Sequence, residues 1–211
     1  MEQNLILEAC VETYEEAIKA EKNGAHRIEL CSHLDLDGLT PEKHLIKQVI
    51  EKMNISVKVM IRPRVGDFIY SADELSTMKD TAQFCKQVGA QGVVFGILDK
   101  KNMLHNQQIE MLAELAFPLE VTIHKAIDQT PDPVASLKAL LRIENVFSVL
   151  TSGGAATASE GKDVIKRMLQ AAKGKINIIA AGSITKENLA DIHQLIGARE
   201  YHGRRIVGDL T

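Results

Sequence analysis

Two short segments repeat one pattern. Glu8-Ala9-Cys10 and Glu29-Leu30-Cys31 both read Glu-x-Cys at the end of an apolar run. Carboxylates in such places can move protons. Two thiolates, with Met60 as a further sulfur, suit the soft ion Cu(I). The alternative for Cys10 and Cys31 is packing, because cysteine also behaves as a small apolar residue. Cys85, inside Gln83-Phe84-Cys85-Lys86, is assigned to packing. Arg62 and Arg64 follow another apolar run and could clamp an anion, or form a solvated basic loop. His124 closes Val121-Thr122-Ile123-His124, and Glu200 and His202 share a face of the last apolar run. Thr151-Ser152-Gly153-Gly154 and Ala181-Gly182-Ser183 are small-residue segments. Their backbone N–H groups could cradle a phosphate or carboxylate, although short turns need glycine anyway.

The elements that must position these residues alternate. Runs rich in Val, Ile and Leu predict strands at 4–10, 26–31, 56–62, 91–97, 118–124, 145–151, 175–181 and 198–202. Amphipathic stretches predict helices near 13–23, 41–53, 73–88, 106–115, 131–142, 159–172 and 185–196. Thr13 to Glu16 and Ser71 to Glu74 have capping-box spacing. Thr40-Pro41 and Thr130-Pro131 place an N-cap before a proline. Gly24, Gly89 and Gly197 stand where a left-handed residue would close a helix. The expected class is therefore α/β, a single (β/α)8 TIM-type barrel over residues 1–211. Its last helix is short or missing, because only nine residues follow His202. Something else, such as a partner subunit, is then expected to cover the last strand, which suggests a homo-oligomer. The first strand runs into Glu8-Ala9-Cys10-Val11 with no Gly-rich dinucleotide turn. This disfavours an open doubly wound sheet, and no nucleotide cofactor is indicated.

Side chains alternate across a strand. If Val57, Val59 and Ile61 meet the helices, Lys58, Met60 and Arg62 point inward. By the same logic Ile28 and Leu30 point outward, and Arg27, Glu29 and Cys31 inward. Thr122 and His124 point inward, and Glu8 is better placed inside than against a helix. Glu8, Glu29, Arg62, His124, Glu200 and His202 thus gather in or near one small volume. They could form an internal ion-pair network, in which Arg27 or Arg62 neutralises Glu8 or Glu29. They could instead line a polar pocket at the C-terminal mouth, where barrel enzymes place their chemistry.

Composition narrows the partners. The 211 residues are 45% hydrophobic, with a formal charge of −3. That balance argues against nucleic acid or an anionic membrane as partner. No run reaches the roughly 18 apolar residues of a membrane span, and the start Met1-Glu2-Gln3-Asn4 does not read as an export signal. Three cysteines, an odd number, then read as reduced thiols in the cytoplasm.

Longer motifs resemble the CutC family. They are Leu7-Glu8-Ala9-Cys10-Val11, Arg27-Ile28-Glu29-Leu30-Cys31-Ser32, Gly38-Leu39-Thr40-Pro41 and the ordered run from Met60 to Ser71. Gly92-Val93-Val94-Phe95-Gly96, Thr122-x-His124, Asp132-Pro133, Leu150-Thr151-Ser152-Gly153 and Glu200-x-His202-Gly203 match as well. The chain departs from the family pattern at Ile123 and Lys125, where Phe and Arg are usual. It departs again at Ala180-Ala181-Gly182-Ser183, where more glycine is usual. The resemblance implies a cytoplasmic barrel with a role in copper homeostasis, and Cu(I) held at Cys10 and Cys31.

Two readings follow. The first is a CutC-like protein that binds or traffics Cu(I), with Cys10 and Cys31 as metal ligands. The second is a barrel enzyme acting on a small phosphorylated or carboxylated metabolite. Its acid, base and anchoring groups would be Glu8, Glu29, Arg62, His124, Glu200 and His202. Arg64, Thr151, Ser152, Gly153, Gly182 and Ser183 would bind the anion. The sequence alone leaves open whether the chain is an enzyme.

Overall fold

Eight parallel strands pair in chain order and close into a barrel in a computed structural model that describes residues 5–210. The strands are β1 (Ile6–Val11), β2 (Arg27–Leu30), β3 (Ser56–Met60), β4 (Gly92–Phe95), β5 (Glu120–Ile123), β6 (Val146–Thr151), β7 (Asn177–Ala180) and β8 (Glu200–Gly203). Between them lie α1 (Tyr14–Lys22), α2 (Lys43–Lys52), α3 (Ala72–Val88), α4 (Asn106–Ala116), α5 (Pro133–Leu140), α6 (Lys162–Ala172) and α7 (Leu189–Ile196). The expected barrel is thus present, with trimmed ends. Among the described residues no helix follows β8, and none is long and apolar enough to cross a membrane.

Local chemistry sets most helix ends. Ser71 makes a complete capping box with Glu74. Thr13 accepts from the Glu16 N–H, but the Glu16 carboxylate reaches the Glu12 N–H rather than that of Thr13. Two expected caps are corrected. The Thr40 hydroxyl accepts from the Arg62 N–H at 2.8 Å, and α2 starts after Glu42. Asp132 caps α5 through the Val134 and Ala135 N–H groups, while Thr130 donates back to the Ile127 carbonyl. In both places tertiary or turn contacts take the threonine first. Gly89 and Gly197 close their helices at φ of 83° and 72°, where a Cβ would be strained.

The alternation of the strands divides two environments. Ile28, Leu30, Val57, Val59, Ile61, Val121 and Ile123 join the apolar layer beneath the helices. The other faces turn into the barrel, where register decides which charges meet. Glu8 lies opposite Arg27 on one side and His202 on the other. One step along, Cys10 lies opposite Glu29, and Glu29 opposite Lys58. Gly92 makes room for the Lys58 stem, since a Cβ there would stand 3.0 Å from its Cγ.

The last strand is covered from within. Ile206, Val207 and Leu210 are buried in the main apolar cluster, as is Tyr201. The Tyr201 hydroxyl also bonds His193 Nδ1 on α7 at 2.8 Å. The outward side chain of β8, Tyr201, is thus buried within the single chain, against α7 and in the same apolar cluster as the C-terminal tail.

Candidate functional site

The barrel floor holds a matched set of charges. Arg27 on β2 donates through Nε to Glu8 on β1, and through Nη2 to Glu200 Oε2 on β8 at 2.7 Å. All three are buried. Burial opposes charge on Glu8, but Arg27 and then His202 outweigh it and hold the carboxyl well below its usual range. Burial likewise opposes charge on Arg27, and Glu8 and Glu200 outweigh it. On β3, Lys58 Nζ donates to Thr122 Oγ1 at 3.0 Å and lies 3.3 Å from Glu120 Oε2. For these residues the internal ion-pair reading holds.

Above the floor the matching loosens. His202 Nδ1 bonds Glu8 Oε1 at 2.8 Å, and Nε2 faces Glu29 Oε2 at 3.7 Å. Burial works against its charge, yet Cys10, Glu29 and Glu8 raise its pKa well above the usual value. The direction favours the imidazolium form between the two carboxyl groups. Burial and the Glu8 charge raise the Glu29 pKa, against the pull of His202. The Cys31 thiol donates to Glu29 Oε2 at 3.6 Å, and burial with the Glu29 charge pushes its pKa far up. Glu29 Oε1 is buried with no partner among the described residues. Glu8, Glu29 and His202 each offer a donor atom within 4.8 Å of the others, close enough for one metal ion.

A cavity of about 960 Å³ opens above these groups. Cys10, Glu29, Cys31, Arg62, His124 and His202 line it, together with Ser152, Gly182 and Ser183. Met60 also reaches it, packed against Cys31. A Cβ on Gly38 would lie 3.3 Å from Cys31 Sγ and 3.7 Å from Met60 Cε, so the two sulfur residues converge there. The strands of Cys10 and Cys31 do adjoin, but register sets Cys10 opposite Glu29, with Cys31 two residues further along.

Several site expectations are corrected. Glu8 and Glu200 do not line the cavity and lie one layer below it. Arg64 turns away from the mouth, donating to Asp67 and Glu74 and stacking near Tyr70. Thr151 and Gly153 do not line the cavity either. The segment read as an anion cradle holds the protein's own carboxylate. Asp128 accepts from the Thr151 and Ser152 hydroxyls and from the Ser152 and Gly154 N–H groups. The Gly153 N–H donates to Thr151 Oγ1. Sequence reading missed Asp128, which lies in a 3-10 turn at Lys125–Gln129 and carries no strand pattern.

His124 and Arg62 form the opposite wall. Gly96 admits the imidazole, since a Cβ there would lie 2.7 Å from ring atoms. His124 Nδ1 accepts the Ala126 N–H at 3.1 Å, which leaves the ring proton on Nε2. Burial and the nearby Arg62 charge push its pKa down to about 3, so the ring is neutral. Arg62 is buried as well, and its Nη atoms donate to the carbonyls of Leu36, Asp37, Gly38 and Gly66. Arg62 Nε and His124 Nε2 have no acceptor among the described residues. A buried donor left unpaired costs about 1–3 kcal/mol.

Fold and cavity together define a closed TIM-type barrel whose polar, sulfur-containing pocket opens at the C-terminal mouth. Comparison with known proteins narrows this class to one family. The CutC family model matches residues 5–207, and the chain belongs to that family. A Homo sapiens copper homeostasis protein cutC homolog is 42% identical over 197 residues, covering 93% of this chain and 72% of that one. A family protein CutC from Treponema denticola is 40% identical over 200 residues, covering 95% and 81%. The crystal structure of a CutC protein from Streptococcus agalactiae superposes with a TM-score of 0.90 at 31% identity, over 96% of this chain and 99% of that one.

Proposed function

We propose that this copper homeostasis family member binds Cu(I) as cargo, in the cytoplasm, with Cys10 and Cys31 as ligands and Met60 as a further sulfur. The observation that carries this reading is the grouping of sulfur at one cavity floor. Cys31 and Met60 converge beside Gly38, and Cys10, on the neighbouring strand, lines the same cavity. Soft sulfur donors favour Cu(I). Both thiols must ligate as thiolates, so Cys31 has to release its proton as the ion binds. Glu29, 3.6 Å from Cys31 Sγ, is the nearest acceptor for the released proton. Anaerobic competition against a chromophoric Cu(I) chelator tests this. Near one Cu(I) per chain is expected, lost in Cys10→Ala and in Cys31→Ala. Unchanged affinity with both cysteines replaced overturns it.

A second reading has its own support: buried Arg62 has no carboxylate partner among the described residues. Burying an uncompensated charge is costly, and an anionic ligand would offset it. In this reading the barrel is an enzyme acting on a small anionic metabolite by acid–base chemistry. Glu29 and His202 are its proton-transferring groups, and Glu8 and Glu200 position them from below. A thermal-shift screen of small phosphorylated and carboxylated compounds tests it. Failure of every anion to stabilise the protein would remove it.

A further inference from the structure

On one wall of the cavity two buried donors have no acceptor among the described residues. The Phe68 ring holds it together. The His124 ring centroid lies 4.8 Å from that of Phe68, and Arg62 Cζ lies 5.1 Å from it. The two Nη atoms of Arg62 are spent on loop carbonyls, which carry no formal charge to balance it. Its Nε–H is unpaired. On His124 the Ala126 N–H occupies Nδ1, so the second unpaired group must be Nε2–H. Both side chains are more than nine-tenths buried and both line the cavity.

We propose that Arg62 Nε–H and His124 Nε2–H form a carboxylate subsite, which anchors one end of a small organic acid in the cavity. This rests on the second reading above and gives its ligand a class. Two free N–H groups beside one uncompensated positive charge match the two oxygens and single charge of a carboxylate. The backbone N–H groups after β6, which could have gathered the oxygens of a phosphate, are already bound to Asp128 and Thr151. Lys125 and Arg205 line the cavity nearer solvent and can meet a second charge on the ligand. An acid anchored on this wall shares the cavity with Glu29, whose Oε1 is also unpaired, and with His202. His124 thereby selects the ligand as a neutral donor, distinct from the sulfur residues of the copper reading.

The test is titration of the full-length, copper-chelated protein with malonate, acetate or inorganic phosphate. Binding is followed by calorimetry at fixed ionic strength, with chloride as control. Malonate and acetate should bind saturably, and the His124 Nε2–H proton should shift downfield in NMR spectra as malonate is added. His124→Phe keeps a ring against Phe68 but loses the donor, and should weaken malonate about tenfold or more. His124→Gln keeps an N–H donor and should recover part of that loss. Melting curves of both variants verify that they fold. Malonate binding equal in wild type and His124→Phe, or binding of phosphate alone, overturns the subsite while leaving small-anion binding intact. Binding of no anion at all overturns the subsite and the second reading together, and leaves the Cu(I) reading untouched.

Discussion

The floor of this barrel and its mouth carry similar residue types in opposite states. On the floor, Arg27 meets both Glu8 and Glu200, and Lys58 meets Thr122 and Glu120. At the mouth, Arg62 meets carbonyls and the Phe68 ring but no carboxylate, and Glu29 Oε1 and His124 Nε2 have no hydrogen-bond partner among the described residues. A buried charge that is paired serves the fold. One left unpaired is tolerated where a ligand completes it. The difference separates the groups that hold the barrel shut from those that recognise something inside it.

The sharpest way to break this comparison is at Arg27. Arg27→Met strands Glu8 and Glu200 in the interior and should lower unfolding free energy by about 3–5 kcal/mol in urea titrations. A loss under about 1 kcal/mol would mean that the floor is not a matched network.

A smaller effect lies in the pH dependence of the mouth. His124 titrates at about 3 when folded, against the usual 6.5. The unfolded chain therefore takes up a proton that the folded chain refuses, and stability falls as pH drops from 6.5 towards 3. Glu29, with its raised pKa, pulls the other way as pH falls towards 4.5. Glu8, held below its usual value, loses its contribution only below about 4.5. The difference between wild type and His124→Phe isolates the histidine. It should amount to about 1.5 kcal/mol between pH 6.5 and 5, read from denaturation at each pH. A constant difference across that range would show that the ring is not held neutral.

The smallest effect is expected at Arg64, whose partners Asp67 and Glu74 are partly exposed. Arg64→Ala should cost less than about 1 kcal/mol and leave malonate binding unchanged. Loss of binding would return Arg64 to the site.

Much of this is legible in the sequence. Alternation in Val57-Lys58-Val59-Met60-Ile61 put Lys58 and Met60 inside, and the structure places them there. The Glu-x-Cys repeat marked two strand ends that do reach one cavity. What escaped was pairing. Arg62 and Arg64 are two residues apart, yet one enters the barrel and the other folds back on α3, because the strand ends at Met60 and alternation no longer applies. Asp128 escaped because nothing local links it to the loop at Ser152 that it organises. Thr40 has the spacing of a helix cap but serves the Arg62 backbone instead.

By itself the sequence determined the eight strands and the seven helices between them, their polarity and the inward set of charges, because periods of 2 and 3.6 residues are local properties of the chain. Only the closed barrel decided which of those charges are matched. Its register brings Glu8 between Arg27 and His202, partners far apart along the chain, and its mouth leaves Arg62 Nε and His124 Nε2 without an acceptor among the described residues, in two side chains that line the cavity.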